Sequence, residues 1–155
     1  MLKSIEGNFD HPEVNSLLVK HFIELRSVSP EGSAHVLDIA GLKNPTIKFW
    51  SLWEDEELMG CGALKFLDKE HGEFKSIRVS DKFRGKGNGS KVINHLIMEA
   101  KKLNIKRLSL ETGAGDFFLT ARKLFSKCGF EPCEPFSHYK KDINSIYMTM
   151  LISNK

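Results

Sequence analysis

The stretch from Gly72 to Leu103 reads GEFKSIRVSDKFRGKGNGSKVINHLIMEAKKL, and the rest of the chain is organised around it. Its pattern predicts a strand over 73–79, a basic glycine-rich turn from Arg84 to Gly89, and then an amphipathic helix. Backbone N–H groups at a helix N-terminus bind anions, and glycine lets a ligand approach the main chain closely. The stretch therefore predicts a loop that binds a diphosphate.

The composition indicates one soluble domain spanning residues 1–155. Hydrophobic residues make up 41% of the chain and charged residues 28%, which is typical of a globular protein. The net charge of +3 comes from 23 basic and 20 acidic residues that are interleaved, so the sequence does not favour a nucleic-acid partner. No run reaches about 18 apolar residues and the N-terminus has no signal-peptide pattern. We therefore expect a cytoplasmic protein with no membrane partner, and a homodimer stays open.

The periodicity of the chain predicts the element order β-α-α-β-β-β-α-β-α-β-β. Asp10 is expected to cap the first helix in a capping box with Glu13, and this helix should end near Arg26. A second, shorter helix is expected over 34–42. The remaining predicted elements are strands over 2–6, 47–53, 58–67, 107–112, 130–133 and 145–152 and a helix over 117–127. This order predicts an α/β (α+β) domain with a largely consecutive central sheet.

The three cysteines, Cys61, Cys128 and Cys133, form no CxxC pair and have no histidine spacing suited to zinc. We expect reduced thiols and no metal site. Cys61 lies within an apolar strand pattern, which favours a small buried side chain over a nucleophile.

Glycine-rich turns between a strand and a helix also occur in P-loop and Rossmann proteins. No Lys-Ser/Thr pair follows the final glycine, and the loop follows three meander strands instead of opening a βαβ repeat. What remains, Arg84-x-x-Gly87-x-Gly89, resembles the pyrophosphate-binding signature of the GNAT N-acetyltransferase superfamily. A second stretch, ARKLFSKCGF over 121–130, resembles the family's A-x-x-L-Y motif, which ends in Gly-Phe. Shorter stretches over 60–64, 110–113 and 136–139 resemble a bacterial subfamily of small uncharacterised acetyltransferases.

The resemblance implies a mixed, mostly antiparallel sheet whose fourth and fifth strands splay apart, flanked by about four helices. It also implies acetyl-CoA as cosubstrate, with its pyrophosphate on backbone N–H groups of the loop and its pantetheine arm on main-chain atoms of the preceding strand. The loop residues are Arg84, Gly85, Lys86, Gly87, Asn88, Gly89 and Ser90, and the strand residues are Ile77, Arg78 and Val79. For the Arg84 and Lys86 side chains, a phosphate contact and an ordinary solvated charge both stay open.

Transfer of acetyl to an amine needs a base for the ammonium proton and a proton for the leaving thiolate. Many GNAT enzymes carry a catalytic glutamate at the position of Glu73. Strand alternation places this residue on one face with Lys75, Ile77 and Val79, so we expect its side chain to point into the wedge. Glu111, on the neighbouring strand, is a second candidate for base or substrate anchor.

Phe125 stands where the family's general-acid tyrosine usually lies, and it has no proton to give. Tyr139, in the loop before the last strand, is the best relocated donor, although a structural role fits it as well. His71 and His138 lie in turns, where a lone histidine is usually a surface residue.

We expect transfer of acetyl from acetyl-CoA to the amine of a small molecule, by direct attack in a ternary complex. A protein lysine or N-terminus is the alternative acceptor. Because Phe125 replaces the usual tyrosine, a second alternative also stays open, in which the protein is a catalytically silent module that senses acetyl-CoA. A basic rim that prefers an acceptor carboxylate would be formed by Lys75, Arg78, Arg122, Lys140 and Lys141.

Overall fold

The computed structural model describes residues 1–30 and 35–152. Within these ranges the strands are β1 (Leu2–Glu6), β2 (Ile47–Glu54), β3 (Glu57–Phe66), β4 (His71–Val79), β5 (Arg107–Gly113), β6 (Glu131–Cys133) and β7 (Ser145–Leu151). The α-helices are α1 (Pro12–Val28), α2 (Ile39–Leu42), α3 (Asn88–Lys102) and α4 (Leu119–Lys127). The predicted element order is confirmed. None of the described helices is long and apolar enough to cross a membrane.

All the strands named above belong to one sheet, in the order β1-β2-β3-β4-β5-β7-β6. Every neighbouring pair is antiparallel except β4 and β5, which confirms the mixed, mostly antiparallel sheet. The parallel pairing of β4 and β5 runs only from His71 opposite Arg107 to Glu73 opposite Ser109. Beyond that point the two strands diverge, and a wedge opens between them.

A β-bulge at Ser76 interrupts the alternation of β4. On β3, two residues separate Cys61 from Ala63, but their partners on β4, Arg78 and Lys75, are three residues apart. Ser76 takes up the extra residue with a φ of 55°, in the left-handed region. Because of this insertion, Lys75 and Arg78 lie on the same face of the sheet.

The bulge overturns the predicted shared face for Glu73, Lys75, Ile77 and Val79. Ile77 and Val79 pack into the core beneath α3. Glu73 and Lys75 lie on the opposite face, beneath α1 and α2. Strict alternation fails here because one extra residue exchanges the two faces of a strand for every residue that follows it.

The two faces of the sheet carry separate cores. The core under α3 and α4 is the larger one and includes the fully buried side chains of Leu96 and Leu108. The core under α1 and α2 includes Val14 and Phe49. Cys61 is fully buried within this second core, as the sequence predicts.

Both N-terminal helices differ from their predicted bounds. His11, and not Asp10, is the N-cap of α1, and its Nδ1 accepts a hydrogen bond from the backbone N–H of Glu13 at 3.2 Å. The cause is Pro12, which occupies the first helical position and so makes the residue before it the cap. The expected helix over 34–42 is regular only from Ile39, since residues 35–38 are not helical and residue 34 lies outside the described ranges.

Candidate active site

A cavity of about 850 Å³ occupies the wedge between β4 and β5. It extends from the glycine loop that follows β4 to the ionisable side chains of Glu73 and Glu111. The predicted site residues that line it are Glu73, Ile77, Arg78, Val79, Arg84, Gly85, Gly87, Gly89 and Glu111. The other predicted residues, Lys86, Asn88, Ser90 and Tyr139, lie next to this lining. A shallow groove of about 980 Å³ on the outer side of α1 contains none of these predicted residues, and it shares Glu24 with the lining of the wedge cavity.

The glycine loop turns through three consecutive left-handed residues. The φ angles are 83° at Gly85, 55° at Lys86 and 78° at Gly87. Gly87 is the N-cap of α3, and no side chain of the described residues caps this helix end. The Asn88 N–H donates to the Gly85 carbonyl at 3.1 Å, so the backbone N–H groups of Gly89 and Ser90 are the ones available to an anion at this helix end.

The Arg78 and Arg84 side chains belong to an ionic network that joins the loop to α1. Arg78 is 6% exposed, and its Nη1 donates to Glu24 Oε1 at 2.7 Å. Arg84 is half exposed and directs its Nε to Asp81 Oδ1 at 3.2 Å, while Lys20 of α1 also pairs with Asp81. The hydrogen bond from Arg78 lowers the pKa of Glu24. These ion pairs connect the glycine loop and β4 to α1.

His21 of α1 lies beside this network and is 6% exposed. Burial, reinforced by the positive charge of Arg78, lowers the pKa of His21 from 6.5 to about 4. The imidazole is therefore neutral at physiological pH, and the buried Arg78 cation has Glu24 as its counter-ion.

Three predicted residues converge at the opposite end of the cavity. The Tyr139 hydroxyl donates to Glu73 Oε2 at 2.5 Å. The Lys75 ammonium lies 3.2 Å from the same carboxylate oxygen and donates to the Tyr139 hydroxyl at 3.1 Å. Glu73 is only 1% exposed. Burial, followed by the effect of the Glu73 carboxylate, raises the pKa of Tyr139, so this hydroxyl keeps its proton.

Glu111 lies across the wedge in a second cluster. Its Oε2 accepts a hydrogen bond from the Ser145 hydroxyl at 2.9 Å, and its Oε1 lies 3.3 Å from His35 Nδ1. The His35 ring contacts the edge of the Tyr139 ring at a centroid distance of 5.1 Å. The sequence gives no local indication of His35, because only the tertiary fold brings the segment before α2 next to β5.

The predicted basic rim is wrong for three of its five members. Lys75 is bound to Glu73 and Tyr139, and Arg78 is buried against Glu24. Arg122 Nη1 donates to the carbonyls of Gly113 and Gly115 at 2.7 and 2.9 Å, and so holds the loop after β5. Lys140 and Lys141 are exposed, but neither lines the cavity. Positive side chains on this face pair with carboxylates or carbonyls because they are enclosed by protein.

The sequence also singles out Phe125, His71 and His138. Phe125 is 9% exposed and packs edge-on against Phe130 at a centroid distance of 5.6 Å. His71 contradicts the surface interpretation, since its Nε2 lies 2.7 Å from the buried Ser109 hydroxyl, and burial lowers its pKa. His138 is exposed, as expected. The described residues contain no group of three or more His, Cys, Asp or Glu side chains placed to hold a metal ion.

Comparison with known proteins gives consistent matches over most of the chain. Residues 12–130 match the model of the acetyltransferase (GNAT) family. The uncharacterised N-acetyltransferase YsnE of Bacillus subtilis is 48% identical over 137 residues, which are 88% of this chain and 91% of that protein. The uncharacterised N-acetyltransferase YedL of Escherichia coli is 41% identical over 142 residues, covering 92% of this chain and 89% of YedL.

The fold also matches solved structures. A Bacillus subtilis acetyltransferase in complex with CoA superimposes with a TM-score of 0.72 at 19% sequence identity, over 99% of this chain and 100% of that one. At this identity the match concerns the fold alone. Together with the family model and the two relatives, it confirms the family that the glycine loop and the second motif indicate: the chain belongs to the GNAT family of acetyltransferases.

Proposed function

We propose that this protein transfers acetyl from acetyl-CoA to the amine of a small molecule, by direct attack within a ternary complex. The observation that carries the proposal is the single cavity in the β4–β5 wedge. It connects an uncapped helix N-terminus at one end to two carboxylates, Glu73 and Glu111, at the other. An anion-binding end joined to a proton-accepting end is the arrangement that acetyl transfer from a coenzyme A thioester to an amine requires.

The loop end supports binding of the coenzyme diphosphate. Gly85 and Gly87 have open space where a side chain would stand, so a phosphate can reach the main chain there. The main chain of β4 from Ile77 to Val79 faces the wedge, where no partner strand pairs with it from the β5 side. In this proposal the pantetheine arm takes the place of that strand and brings the thioester towards Glu73 and Glu111.

Direct attack is favoured over an acetyl-cysteine intermediate. Cys61 is fully buried, and burial raises the pKa of its thiol to about 12, so it does not supply a thiolate at neutral pH. Burial also raises the pKa values of Cys128 and Cys133. None of the three cysteines lines the cavity.

The proton donor to the leaving thiolate is the second part of the proposal. Tyr139 is the candidate, because its hydroxyl carries a proton and Lys75 donates to its oxygen at 3.1 Å, which counteracts the burial that raises its pKa. Loss of the Tyr139 proton to the thiolate would leave a phenolate beside the Lys75 ammonium. The proton acceptor is drawn from the cavity-lining groups around Glu73 and Glu111.

A small acceptor is favoured over a protein lysine or N-terminus. The cavity that holds the two carboxylates is also lined by Leu25 and Val28 of α1 and by His35 and Val36. An acceptor has to enter this cavity to reach the thioester, which suits a small amine better than a folded protein surface.

Thiol release from acetyl-CoA in the presence of a panel of amines, amino acids and peptides tests the proposal. We expect turnover with at least one small amine. Turnover with peptides alone would favour a protein acceptor. Binding of acetyl-CoA without turnover on any acceptor would overturn the enzymatic function in favour of an acetyl-CoA sensor, the reading that Phe125 keeps open.

Replacement of Gly87 by valine tests the loop assignment. Its φ of 78° disfavours a β-branched residue, although the position is spatially open, so we expect a folded protein that binds acetyl-CoA at least about tenfold more weakly. Gly115→Ala is the control, because Gly115 also has open space but no positive φ. Undiminished affinity in the Gly87 variant would contradict the loop assignment.

A further inference from the structure

We propose that His35, oriented by Glu111, is the base that takes the proton from the acceptor ammonium group. The inference rests on the proposed acetyl transfer and assigns its proton-accepting step. It makes His35 the catalytic residue and Glu111 a positioning residue.

The first observation is that the Glu111 carboxylate lies next to His35. Ser145, itself 9% exposed, donates to Oε2 at 2.9 Å and holds the carboxylate, while Oε1 lies 3.3 Å from His35 Nδ1, a buried nitrogen that forms no hydrogen bond with the described residues. The negative charge of a carboxylate beside one ring nitrogen favours the proton on that nitrogen, which leaves the other nitrogen with its lone pair. Glu111 therefore favours the tautomer in which Nε2 of His35 can accept a proton.

The second observation is the position of the imidazole. His35 lines the wedge cavity, and its side chain is 31% exposed. Its Nδ1 faces β5, so Nε2, on the other edge of the ring, lies away from Glu111. In this proposal the acceptor amine is placed at this nitrogen.

The third observation is that Glu73 does not offer the same access. It is 1% exposed, its Oε2 accepts from Tyr139 and contacts Lys75, and its Oε1 is enclosed by protein. Its Oε2 is therefore occupied, and its Oε1 is shielded from solvent and forms no hydrogen bond with the described residues. These contacts suit Glu73 to holding Tyr139 and Lys75 in place.

Within residues 1–30 and 35–152, the charged and titratable groups that face His35 are Glu111 from β5 and Tyr139 from the loop before β7. Lys75 of β4 reaches this region through its bond to the Tyr139 hydroxyl. The carboxylate nearest to His35 is thus the one that stabilises an imidazolium when the proton arrives.

The step balances without any further reactant. The acceptor ammonium gives one proton to His35 Nε2, and the neutral amine nitrogen bonds to the thioester carbonyl carbon. The C–S bond then breaks with its electron pair on sulfur, which leaves as the CoA thiolate. The Tyr139 hydroxyl gives its proton to that sulfur, the second proton lost by the nitrogen restores the Tyr139 hydroxyl, and His35 releases its proton to water.

Steady-state kinetics of His35→Gln and His35→Ala on the best amine of the panel tests the assignment. We expect kcat to fall at least about 100-fold, with KM for the amine and the affinity for acetyl-CoA changed by less than about threefold. His95→Gln is the matched control, because His95 lies on α3, outside the cavity lining, and should keep wild-type kcat.

Two further readouts separate a base from a structural residue. Added imidazole should restore turnover to His35→Ala, whose missing ring leaves room for it, but should not affect the wild type. Glu111→Gln should lower kcat about tenfold or more, and the double variant His35→Ala/Glu111→Gln should be no slower than His35→Ala alone.

Three results would overturn the assignment while leaving acetyl transfer intact. They are retention of most of the wild-type kcat by His35→Gln, a rise in KM without a fall in kcat, and failure of imidazole to restore His35→Ala while that variant still binds acetyl-CoA. Binding of acetyl-CoA by the wild type without turnover on any amine is a different outcome. It would overturn the proposed function itself, and the base assignment with it.

Discussion

The two faces of the sheet differ in what they bury. Beneath α3 and α4 the core is built from aliphatic and aromatic side chains such as Leu96 and Leu108. Beneath α1 the smaller apolar core adjoins buried ionisable groups, among them His21, Glu73 and Arg78. The face beneath α3 and α4 therefore stabilises the wedge by apolar packing, and the face beneath α1 supplies its charged side chains.

Strand β4 contributes both to the apolar packing of one face and to the charge pairing of the other. The bulge at Ser76 turns Ile77 and Val79 towards α3 and leaves Lys75 and Arg78 together on the α1 face. Variants on the two faces should therefore fail for different physical reasons, by loss of packing on one face and by loss of charge pairing on the other.

Leu96→Ala should have the largest effect on stability. Leu96 is fully buried, and its methyl groups occupy the space next to Gly62, where a side chain would stand only 2.3 Å away. Truncation leaves a cavity that the surrounding strand cannot fill, so we expect a loss of about 3 to 5 kcal/mol in the free energy of unfolding, measured with urea. Leu119→Ala is the control, since Leu119 is 41% exposed and should change stability by less than about 0.5 kcal/mol. A Leu96 variant as stable as this control would mean that the α3 face is not the tightly packed one.

Glu24→Leu should have the next largest effect, through charge. It removes the carboxylate at 2.7 Å from the buried Arg78 guanidinium and leaves the more distant Asp81 carboxylate at 3.8 Å, which should cost about 2 kcal/mol in urea unfolding. The double variant Glu24→Leu/Arg78→Met should recover most of this loss, because it removes the poorly paired charge as well.

An exposed ion pair is the control for the Glu24 variant. Glu57 pairs with Lys82 at the surface and is 53% exposed, so Glu57→Gln should cost less than about 0.5 kcal/mol. If the double variant were no more stable than Glu24→Leu, the cost would lie in lost packing, and the contrast between the faces would be weaker.

His21 should make stability depend on pH. Its folded-state pKa of about 4 lies below the ordinary value of 6.5, so between these values only the unfolded chain binds the proton. The free energy of unfolding should therefore fall as the pH falls from 6.5 towards 4, by about 1 kcal/mol between pH 7 and pH 5.5. His21→Gln should remove this part of the dependence. Urea titrations at the two pH values measure it, and an equal slope in both proteins would assign the effect to other groups.

Local patterns predict much of the fold. The strands beside Cys61 and Leu108 and the helix around Leu96 are set by apolar periodicity within a few residues of each position. The bulge could not be predicted, because serine in the left-handed region has no sequence signature of the kind that glycine or asparagine gives. That single omission places Ile77 on the wrong face.

The residues of the candidate site also fall into those that the sequence predicts and those that it does not. The glycine loop is predictable because its anion-binding chemistry lies in consecutive residues. Glu73 and Tyr139 can be selected one by one, but their 2.5 Å hydrogen bond joins segments far apart in the chain. His35 has no local signal, since its partner Glu111 is supplied by the folded sheet.

Ser76→Gly should have the smallest effect on stability, and the opposite sign. Ser76 holds a φ of 55°, which is unfavourable for a residue with a Cβ and costs nothing for glycine. Relief of this strain should outweigh the added freedom of the unfolded chain, so we expect a gain of about 0.5 kcal/mol in urea unfolding. Ser4→Gly, in β1 and not at positive φ, should instead lose about 0.5 to 1 kcal/mol. A loss at both positions would mean that the Ser76 side chain itself stabilises the bulge, and that the exchange of faces depends on this serine as well as on the inserted residue.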